Sequence, residues 1–496
     1  MPSQVSIEID KRCSPTLTCL DVVTGNVRLD LSSTETITAI VVKLEGVAHT
    51  MLAVPKKKPT GSVKANESKR LMTETHKILY ISQTVFPPEN LQEHLTNRSE
   101  GLTLPPGRYF YPFEFRIPIN NKCIETTGIT NMLHFKSNLG LDISRKPTHH
   151  VHTTLPPSLS GMEEATIKYF LKATVKRASM FRMNSRQYHP VVFLPIEPPR
   201  PAPSGRQFFV RRQHQFRSVS QTVSTTVRRG LFGKMRGPSR TVSMTPGEEF
   251  IVEVTMPYPP ILVPLEPIPL KIYVLKKDGS EPPKVFLRQM RVHLVCTTRV
   301  AAHEYHKEVV LGLPLLEARD LSVASKRSSR PADQLPPERA HEAEFDARKW
   351  AQAVIPDMVP PEFKTCNIER KYALEVTLGL SHLSNSNVDE LPFLFDVHVW
   401  SGIPPPQSLV DEKSAGQGHL TEGTGTYMDT TAGMGDAVNA AAPPPADADP
   451  AAVPVDLPTY DEATGSHAAP VSGPRRTFGQ SPNYYTNLEE LDNEKS

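Results

Sequence analysis

Up to about position 400 the chain alternates apolar and polar side chains, the pattern of strands that bury one face and wet the other. Val5, Ile7 and Ile9 alternate with Ser6, Glu8 and Asp10, and Val27, Leu29 and Leu31 with Arg28 and Asp30. Phe113, Phe115 and Ile117 flank Glu114 and Arg116, while Tyr169, Leu171, Ala173 and Val175 share one face. The rhythm then restarts with Phe250, Val252 and Val254, with Leu270, Ile272 and Val274, and with Val292, Leu294 and Cys296. Tyr372, Leu374, Val376 and Leu378 follow, then Phe393, Phe395, Val397 and Val399. Turn signals at Pro105-Pro106-Gly107, Pro246-Gly247 and Asp278-Gly279 punctuate these runs. No sustained helical period alternates with them, which argues against parallel βαβ units and predicts an all-β protein of antiparallel sheets stacked face to face.

Composition supports this. The chain has 49 prolines in 496 residues, about 10 %, roughly double ordinary usage. Each interior proline removes a helical donor and clashes with the preceding turn, which excludes a mostly helical fold. Prolines at 195, 198, 199 and 201 form a stiff connector between the two strand sets. The expected organisation is a β-sandwich over residues 1–196, a Pro-rich hinge over 197–205, and a second sandwich over 206–401 with a loop insertion at about 323–344. An acidic Pro/Ala/Gly-rich tail, 402–496, completes it. The tail is expected to be disordered, because runs such as Ala440–Pro445 and Ala446–Pro450 offer too little apolar surface to offset ordering entropy. Val54 to about Thr75 reads as another loop. The five cysteines are few, scattered and odd in number, which argues for reduced thiols rather than a disulfide framework. No run of about eighteen apolar residues and no charged-then-apolar leader occurs, so a soluble, non-exported chain is expected.

The net charge of +3 conceals an asymmetry. From Gly402 to Ser496 there are 14 acids and four bases, a net of −10, which leaves +13 for the rest. Ten bases and no acid lie between Arg200 and Arg240. Such a block suits anionic partners, phospholipid headgroups among them, or forms a solvated loop; both readings stand at this level.

Several segments resemble the arrestin-related trafficking adaptors, or α-arrestins, of fungal type. Gly25-Asn26-Val27-Arg28-Leu29 precedes Ile37–Gly46; Leu104–Pro118 contains the Tyr-Pro-Phe-Glu-Phe strand; Leu155-Pro156-Pro157-Ser158 leads to Tyr169–Val175. Gly230-Leu231-Phe232 and Val263–Ile272 are similar to the opening of the second arrestin domain, except that Leu265 replaces the family's usual glycine. Asn120–Thr154 is long for the family. The resemblance implies two arrestin-like sandwiches, places the first strand of the second one inside the basic block, and implies no cofactor and no catalytic residue.

The sharpest feature of the tail is Leu457-Pro458-Thr459-Tyr460. WW domains take Pro-x-Tyr cores because a polyproline II segment lies across an aromatic groove while the tyrosine fills a second pocket. Leu457 stands where the preferred form has another proline, so weaker binding is expected. Pro482 and Tyr484 repeat the spacing as a weaker second match that could add avidity. The family resemblance implies recruitment of a WW-domain HECT-type ubiquitin ligase, with the sandwiches holding cytosolic segments of membrane transporters or receptors. Cytoplasmic residence, peripheral at plasma membrane and endosomes, is expected, with no nucleic-acid partner. Ser220, Ser239 and Ser243 follow arginines at basophilic-kinase spacing, and a phosphate there would subtract about two charges from the basic block.

Other patterns carry less. Gly230–Met235 is too short for a phosphate loop, and Met235 cannot ligate Mg²⁺. His303 with His306, and His149, His150 and His152, lack cysteine or carboxylate companions at ligand spacing, so no metal site is expected. No nucleophile elbow occurs, and an enzyme has no positive support. An arrestin-fold coat subunit or signalling scaffold would share the sandwiches without using Tyr460.

Overall fold

The computed structural model describes residues 4–55, 69–88, 101–121, 123, 151, 153–178, 183–224, 239–328, 336–382, 387–407, 471, 475–486 and 488–489; of residues 217–224 and 239–247 it describes the backbone alone. The first half contains β1 (Gln4–Ile9), β2 (Thr16–Leu17), β3 (Val22–Leu31), β4 (Glu35–Pro55), β5 (Lys69–Phe86), β6 (Leu102–Leu104), β7 (Gly107–Arg116), β8 (Ala165–Arg177) and β9 (Ser185–Phe193). One sheet runs β1-β3-β7, and the other runs β2-β9-β8-β4-β5 with β6 added to β4. All pairings are antiparallel except β2 with β9. The alternation predicted for these strands is what fills the space between the sheets. Val27 and Leu29 of β3 and Phe113 and Phe115 of β7 share one core with Ile40, Val42 and Leu44 of β4 and Leu171 and Ala173 of β8. Each of the larger side chains gains about 1.5–3 kcal/mol by leaving water.

The second half holds β10 (Gln207–Ser224), β11 (Ser239–Pro257), β12 (Ile261–Leu262), β13 (Lys271–Leu275), β14 (Phe286–Ala302), β15 (Tyr305–Ala318), β16 (Val323–Ala324), β17 (Lys326–Arg327), β18 (Ala343–Glu344), β19 (Phe363–Lys364), β20 (Ile368–Ser381) and β21 (Asp389–Val399). Its sheets run β10-β11-β13-β18-β17 and β12-β21-β20-β14-β15, with β16 on β14 and β19 on β20. Val252, Val254, Ile272 and Val274 pack across to Val292, Leu294, Leu374, Val376, Phe393 and Phe395. Each half is thus a sandwich with its own core. No helix among the described residues is long and apolar enough to cross a membrane.

Several expectations are corrected. The strand that the resemblance placed inside the basic block is present, and the solvated-loop reading fails for its two flanks. There β10 and β11 pair from Gln207↔Pro257 out to Ser224↔Ser239, so Arg211, Arg212, Arg217 and Arg240 lie on hairpin strands, while 225–238 lie outside the described residues. The Val54–Thr75 loop is shorter than read, since β4 runs to Pro55 and β5 begins at Lys69. The insertion near 323–344 contributes β16, β17 and β18 to the two sheets of the second half. At the start of the proline connector, Glu197 is buried. Its N–H donates to the Ile403 carbonyl (2.8 Å) and its carboxylate accepts from Gly402 N–H (3.2 Å), stitching it to the end of the second sandwich. Leu265 has φ +70°, the left-handed region that glycine enters freely and a side chain enters at a cost of about 1–2 kcal/mol. That explains the glycine usual at this turn in the resembling family.

The largest correction concerns the tail. Residues 475–486 and 488–489 lie against the first sandwich, with Phe478, Tyr484 and Leu488 buried. Averaged over 95 residues the tail reads as acidic and low in large apolars; its last part concentrates two arginines and three anchoring apolar side chains within 14 positions. The stretch 408–470 lies outside the described residues.

The two sandwiches meet along β4, β5, β14 and the β19–β20 turn. Thr50 Oγ1 donates to the Ala301 carbonyl (2.7 Å), Ala301 N–H to Asn367 O (2.8 Å), and Asn367 Nδ2 to Ala48 O (3.4 Å). Val300, Ala302 and Ile368 of the second half join the first core.

Candidate functional site

Leu457, Pro458 and Tyr460 lie outside the described residues. Ser220 and Ser243 face each other in the β10–β11 register, and Ser239 pairs with Ser224 at its far end. Pro482 and Tyr484 are described, and their arrangement runs against the sequence expectation. Pro482 opens a 3₁₀ turn, Pro482–Tyr485, and Tyr484 is 0 % exposed. A WW domain must surround the tyrosine ring, so this second motif is not presented while the segment is docked.

The slot that takes Tyr484 is built by the segment that carried much of the family resemblance. Leu155–Leu159 runs alongside β8, and the Ser158 hydroxyl accepts from Phe193 N–H (2.9 Å). Tyr484 Oη donates to the Val191 carbonyl (2.5 Å) and accepts from Tyr169 N–H (3.1 Å). Ser158 Oγ lies 2.7 Å away; with the phenol proton spent on Val191, the serine is the donor. Every polar atom at the bottom of the slot is therefore satisfied, as burial requires. Burial pushes the phenol pKa of Tyr484 up, so the ring stays neutral. The Tyr169 ring lies over Gly46, where a Cβ would approach it to 2.6 Å; glycine there lets β4 pass beneath the ring.

Around this anchor the segment is held by charge and backbone. Lys168 Nζ donates to Asn483 O (2.9 Å) and Thr486 O (2.7 Å), capping the turn. Ser160 Oγ accepts from Ser481 N–H (3.0 Å), and Leu488 covers Phe170 and Val47. Two adjacent arginines then point to different halves of the molecule. Arg475 makes a bidentate pair with Asp21 (2.5 and 2.7 Å) and reaches Thr16 O. Arg476 donates to the carbonyls of Ser401, Asp357 and Val359 in the second half. Burial lowers its pKa to about 10, which leaves it charged at neutral pH. The docked segment is thus an intramolecular ligand that spans both sandwiches.

One signal in the sequence pointed to this groove. Phe170 lies on the outer face of β8, where alternation calls for a polar residue, and it is 0 % exposed under Leu488. Sequence spacing also concealed a second cluster. His76 of β5, Cys123 after β7 and Cys366 of the β19–β20 turn place their ligand atoms within 4.8 Å of one another. These positions are tens to hundreds of residues apart in sequence, so the expectation of no ligand set, drawn from local spacing, missed them. Burial works against a charged His76, but hydrogen bonds with Cys366 and Glu74 outweigh it and raise the imidazole to about 9. Hydrogen bonds from Cys123, from His76 and from Val151 N–H hold the Cys366 thiol down at about 3.

Two sandwiches joined by a connector anchored at buried Glu197 and clasped by a returning C-terminal segment define an arrestin-type fold. Residues 5–130 match the family model described as the arrestin (or S-antigen) N-terminal domain. Over 174 residues the chain is 28 % identical to arrestin-related trafficking adapter 10 of Lachancea thermotolerans, a match covering 31 % of this chain and 37 % of that relative. The N-terminal domain match and the adapter relative, which this chain covers over little more than a third of its length, support an α-arrestin assignment.

Proposed function

We propose that the protein is a non-enzymatic trafficking adaptor that links the cytosolic segments of a membrane transporter or receptor to a WW-domain HECT-type ubiquitin ligase. Cargo ubiquitination and endocytosis follow from that link, and the protein works in the cytoplasm, peripheral to the plasma membrane and endosomes. The observation that carries this reading is the position of Leu457-Pro458-Thr459-Tyr460. It lies on the stretch between Gln407 and Val471, behind two arrestin-like sandwiches and ahead of the docked segment. The name of the fungal relative, a trafficking adapter, supports the same class. Burial of Tyr484 leaves the Tyr460 motif as the WW ligand of the docked form, and release of the segment would add Pro482–Tyr484. The basic β10–β11 hairpin, with its clustered arginines, supplies the attraction to anionic phospholipid that would hold the adaptor at its cargo.

Immobilised WW domains incubated with the full-length chain test this. Tyr460→Ala is expected to lower capture at least tenfold and to abolish ubiquitination of the chain itself, while Tyr484→Phe leaves capture unchanged. Undiminished capture and ubiquitination of Tyr460→Ala would favour an arrestin-fold coat or scaffold instead.

A further inference from the structure

The seam between the sandwiches contains a donor set that the adaptor reading does not use. His76 Nδ1 lies 3.5 Å from Cys123 Sγ, and these atoms with Cys366 Sγ form the three-member group within 4.8 Å. A tetrahedral Zn²⁺ bound at about 2.3 Å to sulfur and about 2.0–2.1 Å to imidazole nitrogen needs donor separations of about 3.5–3.8 Å. The group requires little movement to meet that geometry. His76 and Cys123 are buried, and Cys366 is partly exposed, which leaves a path for an ion and a place for a fourth ligand.

The surroundings are those of a metal centre rather than of a chance cluster. Glu74 Oε1 sits 2.7 Å from His76 Nε2, so the carboxylate takes that ring proton and aims Nδ1 at the two sulfurs. This carboxylate–histidine arrangement orients zinc ligands elsewhere and raises their basicity. The other oxygen of Glu74 accepts from His303 N–H (2.5 Å), so its own position is fixed by the opposite sandwich. Val151 N–H points at Cys366 Sγ (3.3 Å), a contact that favours thiolate at a metal-binding cysteine. Two thiolates and one imidazole are soft to borderline donors, suited to Zn²⁺ and poorly suited to Mg²⁺ or Ca²⁺.

We infer that His76, Cys123 and Cys366 form a Zn²⁺ site that pins the first sandwich to the second. His76 and Cys123 belong to the first half and Cys366 to the second, so the ion would bridge the seam already tied by Thr50, Ala301 and Asn367. Bound metal would then set how firmly the two halves hold their relative orientation.

Full-length chain, purified under reductant and stripped of metal by chelation, is titrated with Co²⁺ as a coloured stand-in and then with Zn²⁺. One equivalent of Co²⁺ is expected to produce a thiolate-to-cobalt charge-transfer band and the intense visible bands of tetrahedral cobalt, both erased by one equivalent of Zn²⁺. Cys366→Ser, at the least buried ligand, is expected to lose the charge-transfer intensity in large part and to weaken Zn²⁺ binding at least 100-fold. Glu74→Gln is expected to weaken it 10- to 100-fold. Cys13→Ser and Cys296→Ser should behave as wild type. Zn²⁺ should raise the melting temperature of the wild-type chain and not that of Cys366→Ser, whose metal-free circular dichroism serves as the folding control. Absence of thiolate bands in the wild-type chain, wild-type binding by Cys366→Ser, or a Cys123–Cys366 disulfide that persists under reductant would each overturn the site.

Discussion

The outer faces of β8 and β20 show how the two sandwiches differ. Both strands are central in their sheets and both alternate inward-facing apolar residues, Leu171, Ala173 and Val175 in one and Leu374, Val376 and Leu378 in the other. On β20 the intervening Ala373, Glu375 and Thr377 keep partial contact with water. On β8 the corresponding Lys168, Phe170 and Lys172 are all buried. The strands are alike, and the returning C-terminal segment and its neighbours make the difference by covering one of them. A strand that breaks alternation on its solvent side therefore marks a surface that something else occupies, and here the occupant is the chain's own end.

Substitutions in the groove should separate the two faces by size of effect. Tyr484→Ala removes a fully buried ring and strands Val191 O, Tyr169 N–H and the Ser158 hydroxyl, at a cost of about 4 kcal/mol to docking. Hydrogen exchange is expected to lose protection over residues 475–489 while β14, β20 and β21 keep theirs. A matching loss in the second sandwich would mean that the segment belongs to a single cooperative core. Arg475→Ala leaves Asp21 without its bidentate partner, a loss of about 3 kcal/mol, read as faster proteolysis ahead of Phe478. If cleavage is no faster, the apolar anchors alone hold the segment. Thr377→Ala, on the uncovered face of β20, should shift stability by less than about 0.5 kcal/mol. A larger drop in denaturant midpoint would show that this face too carries a partner.

The strands were legible because their alternation is a local property: the inner-face residues read from β3, β8, β14, β20 and β21 are, with the exception of half-buried Cys296, those that fill the two cores. Long-range contacts were not legible in the same way. Nothing near Tyr484 in sequence announces Ser158, more than 300 residues earlier, and the acidity of the tail as a whole masked the apolar and cationic anchors at its end. The basic block misled for a related reason. Uninterrupted arginines suggest solvated loop, yet a hairpin accommodates them too, as Arg211 shows by pairing with buried Glu253 across the register (2.6 Å). His76, Cys123 and Cys366 are the extreme case, brought together only when β5 meets the β19–β20 turn.

Val471 packs against the first sandwich, so the covalent chain that carries Tyr460 is tethered on its C-terminal side as well as at Gln407. Ten residues lie between Tyr460 and Val471, so even at full stretch the tyrosine ranges no farther than about 40 Å from that mooring. On the proposed function, a ligase gripping it would be kept within roughly one domain's breadth of the first sandwich. Casting off Tyr484 would lengthen the rope, and with it the set of lysines within reach.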